Sequence, residues 1–165
     1  MNYHDIQKDD MLNGSGIRVS LFVSGCDRHC EKCQNPQTWN KDSGIEFTND
    51  TYEELKEELK KDYVSGITFT GGHPLEYYNY STIYTLCFNI KREFPNKSIW
   101  IYTGFNFEDI KDLDIMKYVD VIVDGKYIDE LRDVTLAFRG SSNQRIIDVQ
   151  ASLRKNKTVI LNYDN

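Results

Sequence analysis

The sequence has no run of lysines and arginines. Acidic residues outnumber basic ones, 26 to 20, for a formal net charge of −6. That balance disfavours nucleic acid and anionic membrane as partners, since both repel an acidic surface. No stretch is long and apolar enough to span a bilayer. The opening MNYHDIQKDD has no apolar core of the kind a secretory signal carries. The expected setting is cytoplasmic, where thiols stay reduced. Internal repeats and low-complexity linkers are also absent. The chain has 165 residues, 39% hydrophobic and 13% aromatic. This excludes a disordered chain and predicts a single domain over residues 1–165 with a sizeable core.

Cysteine is scarce, yet three of the four fall within VSGCDRHCEKCQNP as Cys26, Cys30 and Cys33. A disulfide needs two thiols, and a closed zinc site needs four ligands. Three in a C-x3-C-x2-C spacing imply a deliberately incomplete site, or a fourth ligand from elsewhere. In a reducing compartment the cluster reads as metal-binding or catalytic. His29 lies in the loop as a candidate fourth ligand, against the plainer reading of a solvent-facing residue. Cys87 falls on the apolar face of a predicted helix and reads as a small buried hydrophobe. Zinc and an iron–sulfur cluster both suit such thiolates. Three thiolates on a four-iron cluster would leave one iron open to substrate.

Helix and strand patterns alternate along the chain. Strands are predicted at 17–24, 65–72, 98–104 and 119–126, each running into a glycine. Helices are predicted over TNDTYEELKEELKKD, with Thr51 and Glu54 as a capping box, over 79–94, and over 107–118. After the polar loop RGSSNQR a last strand is expected at 158–163. The alternation implies βα units around a mostly parallel sheet. A full eight-stranded α/β barrel takes about 250 residues, so a partial α/β barrel or an open sheet is expected. The unusual residues all follow strands: Cys26–Cys33, Gly71–Gly72, Thr103–Gly104 and Asp124–Lys126. Carboxyl ends of parallel strands share one edge, so these segments should converge on one pocket.

The cysteine motif after a first strand, with Gly-Gly after the second, resembles the radical S-adenosylmethionine superfamily. Within it, NGSGIRVSLFVSGCDRHCEKCQNPQTWN, TFTGGHPL, IWIYTGF, VDVIVDGKY and FRGSSNQRIID resemble, in order, the activating proteins of anaerobic ribonucleoside-triphosphate reductase. The resemblance covers about residues 2–148. It implies a partial barrel and a [4Fe–4S] cluster on Cys26, Cys30 and Cys33. It also implies S-adenosyl-L-methionine as cofactor, cleaved reductively to a 5′-deoxyadenosyl radical that takes hydrogen from a glycine of the reductase. A reduced flavodoxin or similar protein would donate the electron. No catalytic side chain is implied beyond the cluster and cofactor.

By the same resemblance, Gly71 and Gly72 would offer backbone carbonyls to the methionine ammonium, and Lys126 would reach its carboxylate. Lys32, Cys33 and Gln34 would pass along the adenine. Tyr102 and Thr103 would line the ribose or methionine side. The chain departs from the pattern at three places. His73 replaces the usual acid, with Glu76 nearby to compensate. Lys32 is neither aromatic nor glycine. Ser15 stands where proline is usual. Arg18 reads as an ion-pair partner or a substrate contact, and RGSSNQR as a polar capping loop or a docking or cofactor element. Alternatives are an activase of another glycyl-radical enzyme, an enzyme acting on small molecules such as deazapurine precursors, and a non-catalytic zinc-stabilised interaction module.

Overall fold

The computed structural model describes residues 1–164. Seven strands form one sheet: β1 (Asn2–Asp10), β2 (Ile17–Val23), β3 (Ile45–Glu46), β4 (Val64–Gly71), β5 (Ser98–Tyr102), β6 (Val121–Asp124) and β7 (Arg145–Asp148). The helices are α1 (Asn49–Leu59), α2 (Tyr77–Glu93), α3 (Phe107–Ile110) and α4 (Val149–Lys155). Strand order is β3-β1-β2-β4-β5-β6-β7. The centre β2-β4-β5-β6 is parallel throughout, and β1, β3 and β7 join it antiparallel. The α/β class and parallel centre follow the sequence pattern. The sheet is open, with β3 and β7 at its edges. Among the described residues no helix is long and apolar enough to cross a membrane.

Parallel strands are covered on both faces and so run almost continuously apolar. β4 is buried at six of its eight positions, β6 at all four. On one face α1 and α2 bring Leu55, Leu59, Ile83, Leu86, Cys87 and Ile90 onto Leu21, Ile67, Phe69 and Ile101. Cys87 is a fully buried core residue, as its helical position predicts. A second cluster, Trp100, Val121, Val123 and Ile146, is covered by Tyr102, Phe138 and Leu161.

Three local readings are corrected, and one strand is new. β1, for which no element was predicted, is a strand despite its polarity: its residues alternate irregularly, and antiparallel pairing with β2, not apolar content, holds it. The α1 capping box starts one turn earlier than Thr51, with Thr48 as N-cap and its amide donating to Thr51 Oγ1 at 3.1 Å. The helix over 107–118 breaks after Ile110 and resumes as a 3₁₀ turn at Asp114–Lys117. Ile110, Ile115 and Met116 are all buried, and at 100° per residue an unbroken helix would spread them over different faces. The last strand lies at Arg145–Asp148 rather than 158–163, where only Ile160 bridges to Ile147. α4 follows it directly, with Asp148 accepting from the Ala151 amide at 3.0 Å.

Arg18 on β2 is wholly buried. Its Nε donates to Thr68 Oγ1, Nη1 to Ser98 Oγ and Ser15 O, and Nη2 to Ile67 O and Ser98 O, all within 3.1 Å. The guanidinium lies 5.4 Å from the Trp100 ring centre. Burial lowers its pKa to about 10, which keeps it charged at neutral pH. It is neither a substrate contact nor, among the described residues, an ion-pair partner: it ties three parallel strands through neutral acceptors. Replacing Arg18 with alanine would strand those acceptors in the core, and should cost about 3 kcal/mol or more in chemical denaturation.

Candidate functional site

The ends of β2, β4 and β5 and the loops after them surround a cavity of about 610 Å³. Its wall includes Cys26, Cys30, Cys33, Gly71, Gly72 and Tyr102. The convergence expected from the strand order is therefore seen. The three thiols are half-buried and free.

The cysteine loop is held by backbone bonds to the segment that follows it: Gly25 N to Thr38 O at 2.6 Å and Cys26 N to Trp39 O at 3.1 Å. Within it His29 and Lys32 adopt left-handed backbone angles, φ 45° and 56°, which L side chains rarely take. The Asn35 amide donates to Cys33 Sγ at 3.3 Å. Burial pushes the Cys26 thiol up, against backbone bonds at Arg28 and His29 that lower it.

The Gly71–Gly72 turn abuts the same loop. Gly72 N donates to Val23 O at 2.8 Å and His73 N to Gly25 O at 2.7 Å. Gly71 has φ 91°, and a Cβ on Gly72 would lie 2.6 Å from Gly25 O. Only glycine permits this approach. Beyond the turn, His73 is 2% exposed. Its Nδ1 is 2.7 Å from Glu76 Oε1 and its Nε2 2.7 Å from Thr103 Oγ1. The Gly104 amide donates to Nε2, and the Phe105 amide donates to Thr103 Oγ1. Nε2 is thus an acceptor, and Nδ1 carries the proton toward Glu76. Burial lowers the His73 pKa, opposed by its bond to Glu76, and the ring is neutral. Glu76 also accepts from the Asp27 amide at 3.3 Å. His73 and Glu76 together bridge the glycine turn, the cysteine loop and the exit of β5.

The remaining expected residues are placed differently. Gln34 lines the cavity. Lys32 turns outward and pairs with Asp129 at 3.3 Å. Lys126 is exposed and outside the wall, its carbonyl accepting from Asn143 Nδ2 at 2.8 Å. His29 stacks on Trp39, ring centres 4.4 Å apart. In RGSSNQR, Gln144 Oε1 accepts from the amides of Gly140 and Ser141, and its Nε2 donates to Gly125 O. Arg145 binds Asp124 and Glu108. The loop thus braces the exit of β6 while Arg139, Gly140 and Gln144 face the cavity. Asp164 holds that wall by accepting from the Ala137 amide and the Arg139 guanidinium, both at 2.7 Å.

Arg28, Trp39, Tyr127, Phe138 and Arg139 also line the cavity. Of these the sequence assigned a candidate role only to Arg139, within RGSSNQR, and flagged Trp39 through the TWN triplet after the cysteines. Three of these residues carry buried N–H groups without a partner: Arg28 Nε, Trp39 Nε1 and Arg139 Nε. Buried donors are ordinarily satisfied, so the wall fits a guest rich in acceptors. Among the described residues no group of three or more His, Cys, Asp or Glu gathers as a single-ion site. Three thiols on the wall of a cavity with orphaned donors fit a sulfide-rich cluster and an acceptor-bearing ligand beside it.

A family model described as a 4Fe-4S single cluster domain matches residues 12–147. Among curated proteins, the anaerobic ribonucleoside-triphosphate reductase-activating protein of Enterobacteria phage T4 is 50% identical over 146 residues, 88% of this chain and 93% of the relative. Proteins of the same name from Vibrio cholerae and Escherichia coli K12 are 39% and 38% identical, over 88% and 87% of this chain and 97% and 96% of their own.

The His73 pKa has a consequence for stability. Folding lowers it below the ordinary 6.5, so the unfolded chain takes up the proton first as pH falls. Above that value the contribution vanishes; below it, protonation favours unfolding. Wild-type protein should lose denaturant resistance between pH 7 and pH 5 more steeply than His73→Asn, which keeps a donor toward Glu76 but does not titrate. Parallel profiles for the two would refute this.

Proposed function

We propose, from the premise that the chain belongs to the family of anaerobic ribonucleoside-triphosphate reductase-activating proteins, that it activates such a reductase by radical S-adenosylmethionine chemistry. The observation that carries the reading is the joint placement of Cys26, Cys30 and Cys33 with the Gly71–Gly72 turn on one cavity. When bound, a [4Fe–4S] cluster with S-adenosylmethionine supplies one-electron cleavage of the sulfonium and a 5′-deoxyadenosyl radical able to take hydrogen from a glycine α-carbon.

The chain's own residues bind and orient. Cys26, Cys30 and Cys33 would hold three irons and leave the fourth free for the methionine amino and carboxylate groups. The Asn35 amide at Cys33 Sγ would place a hydrogen bond on a cluster-bound sulfur and favour the more reduced cluster. Gly71 and Gly72 would present backbone oxygens to the ammonium. Gln34 and Tyr102 would line the cofactor. Lys32 and Lys126 stand outside the cavity wall, and a direct contact of either with the cofactor would need the bound state to draw its flexible side chain inward. The open sheet would serve as the superfamily's incomplete barrel. Its open edge would admit an extended glycine-bearing segment of the reductase, which would complete the water-excluding enclosure. The electron would come from a reduced flavodoxin or a similar protein.

Anaerobically reconstituted protein should contain iron rather than zinc and form 5′-deoxyadenosine with reductant and S-adenosylmethionine. Cys30→Ala should lower that product to background. Adding the reductase should give a glycine-centred doublet in electron paramagnetic resonance. A colourless zinc protein, or turnover unaffected by Cys30→Ala, would overturn the reading.

A further inference from the structure

The proposed cofactor carries a purine, a flat π surface that binds well to an unpaired aromatic face. Most rings on the cavity wall are already engaged. Trp39 is covered by His29, His73 lies 4.8 Å from Phe105, and Phe138 meets the edges of Trp100 and Tyr163. Phe22 and Tyr102 belong to strands of the sheet, and the Tyr102 hydroxyl is tied to Phe138 O.

Tyr127 differs. It lies in the loop after β6 rather than in the sheet and lines the cavity, and like Phe22 and Tyr102 it pairs with no other aromatic ring among the described residues. Its orientation is fixed from outside. The hydroxyl donates to Asp129 Oδ1 at 2.9 Å, and Asp129 Oδ2 is held by Lys32 of the cysteine loop at 3.3 Å. One edge of the ring rests over Gly140, where a Cβ would come within 3.1 Å of the ring carbons. The ring is therefore locked beside the cysteine loop. Desolvation and the Asp129 carboxylate raise the phenol's pKa. It stays neutral and uncharged at physiological pH.

We infer that the Tyr127 ring is the stacking platform for the adenine of S-adenosylmethionine, held in place by the Lys32–Asp129–Tyr127 chain. Lys32 then acts as a positioning residue: its side chain points away from the cavity and sets the ring through Asp129. The inference rests on the functional reading above, because it needs an adenosyl ligand.

The test is equilibrium binding of S-adenosylmethionine, and separately of methionine, to the cluster-loaded protein under anaerobic conditions. Tyr127→Leu removes the π face and Tyr127→Phe retains it, while both remove the bond to Asp129. Iron content and circular dichroism confirm that each variant is loaded and folded. Tyr127→Leu should weaken S-adenosylmethionine about tenfold or more relative to Tyr127→Phe, with methionine unchanged in both. Equal affinity of the Leu and Phe variants for S-adenosylmethionine overturns the inference but leaves the functional reading intact. So does a parallel loss of methionine, which marks a general structural role. Wild-type protein that takes up no S-adenosylmethionine overturns both.

Discussion

The contact between the glycine turn after β4 and the end of β2 is the constraint on which the site depends. Two backbone bonds, Gly72 N to Val23 O and His73 N to Gly25 O, close the gap between neighbouring strand exits. They leave no volume for a side chain on Gly72. The cysteine loop starts from the residues so fixed, with Gly25 and Cys26 bonded in turn to Thr38 and Trp39. The position of the thiols is thus set by main-chain geometry. The side chains around them are free to differ.

One such difference is His73. A charged acid at this position would have to be solvated or paired. A neutral imidazole, buried and bonded at both nitrogens, serves as a rigid spacer instead. A carboxylate stands three residues on, at Glu76, which accepts from the cysteine loop at the Asp27 amide and lies 3.9 Å from the Arg28 guanidinium. Arg28 in turn covers the face of Phe105 at 4.0 Å. The loops after β2, β4 and β5 are linked through buried polar groups, and such networks specify one arrangement only when nearly every member is satisfied. The exception, Arg28 Nε, is buried without a hydrogen-bond partner.

The sequence made the parallel centre legible because buried strands write themselves as unbroken apolar runs ending in glycine. It made the site legible because those runs place Cys26–Cys33 and Gly71–Gly72 at one edge. What it hid was structure held by pairing rather than by hydrophobicity. β1 is polar at most positions, and β7 is four residues long beside a polar loop. The side-chain roles of Lys32 and Lys126 were unreadable for another reason. Their backbone places both beside the cavity, but a long cation near a surface carboxylate or in water turns outward. Tyr127 and Arg139 enter the wall only through contacts made across many residues of chain, Tyr127 with Gly140 and Arg139 with Asp164, which no local pattern encodes.

The grip of Asp164 on Ala137 and Arg139, with Tyr163 packed on Phe138, means that residues remote from the chemistry act as a clasp on one bank of the pocket. Evolutionary drift there is consequently not neutral. A substitution in this tail would be felt as a change in ligand fit, and a screen for altered cofactor preference would recover variants at positions that touch no cofactor.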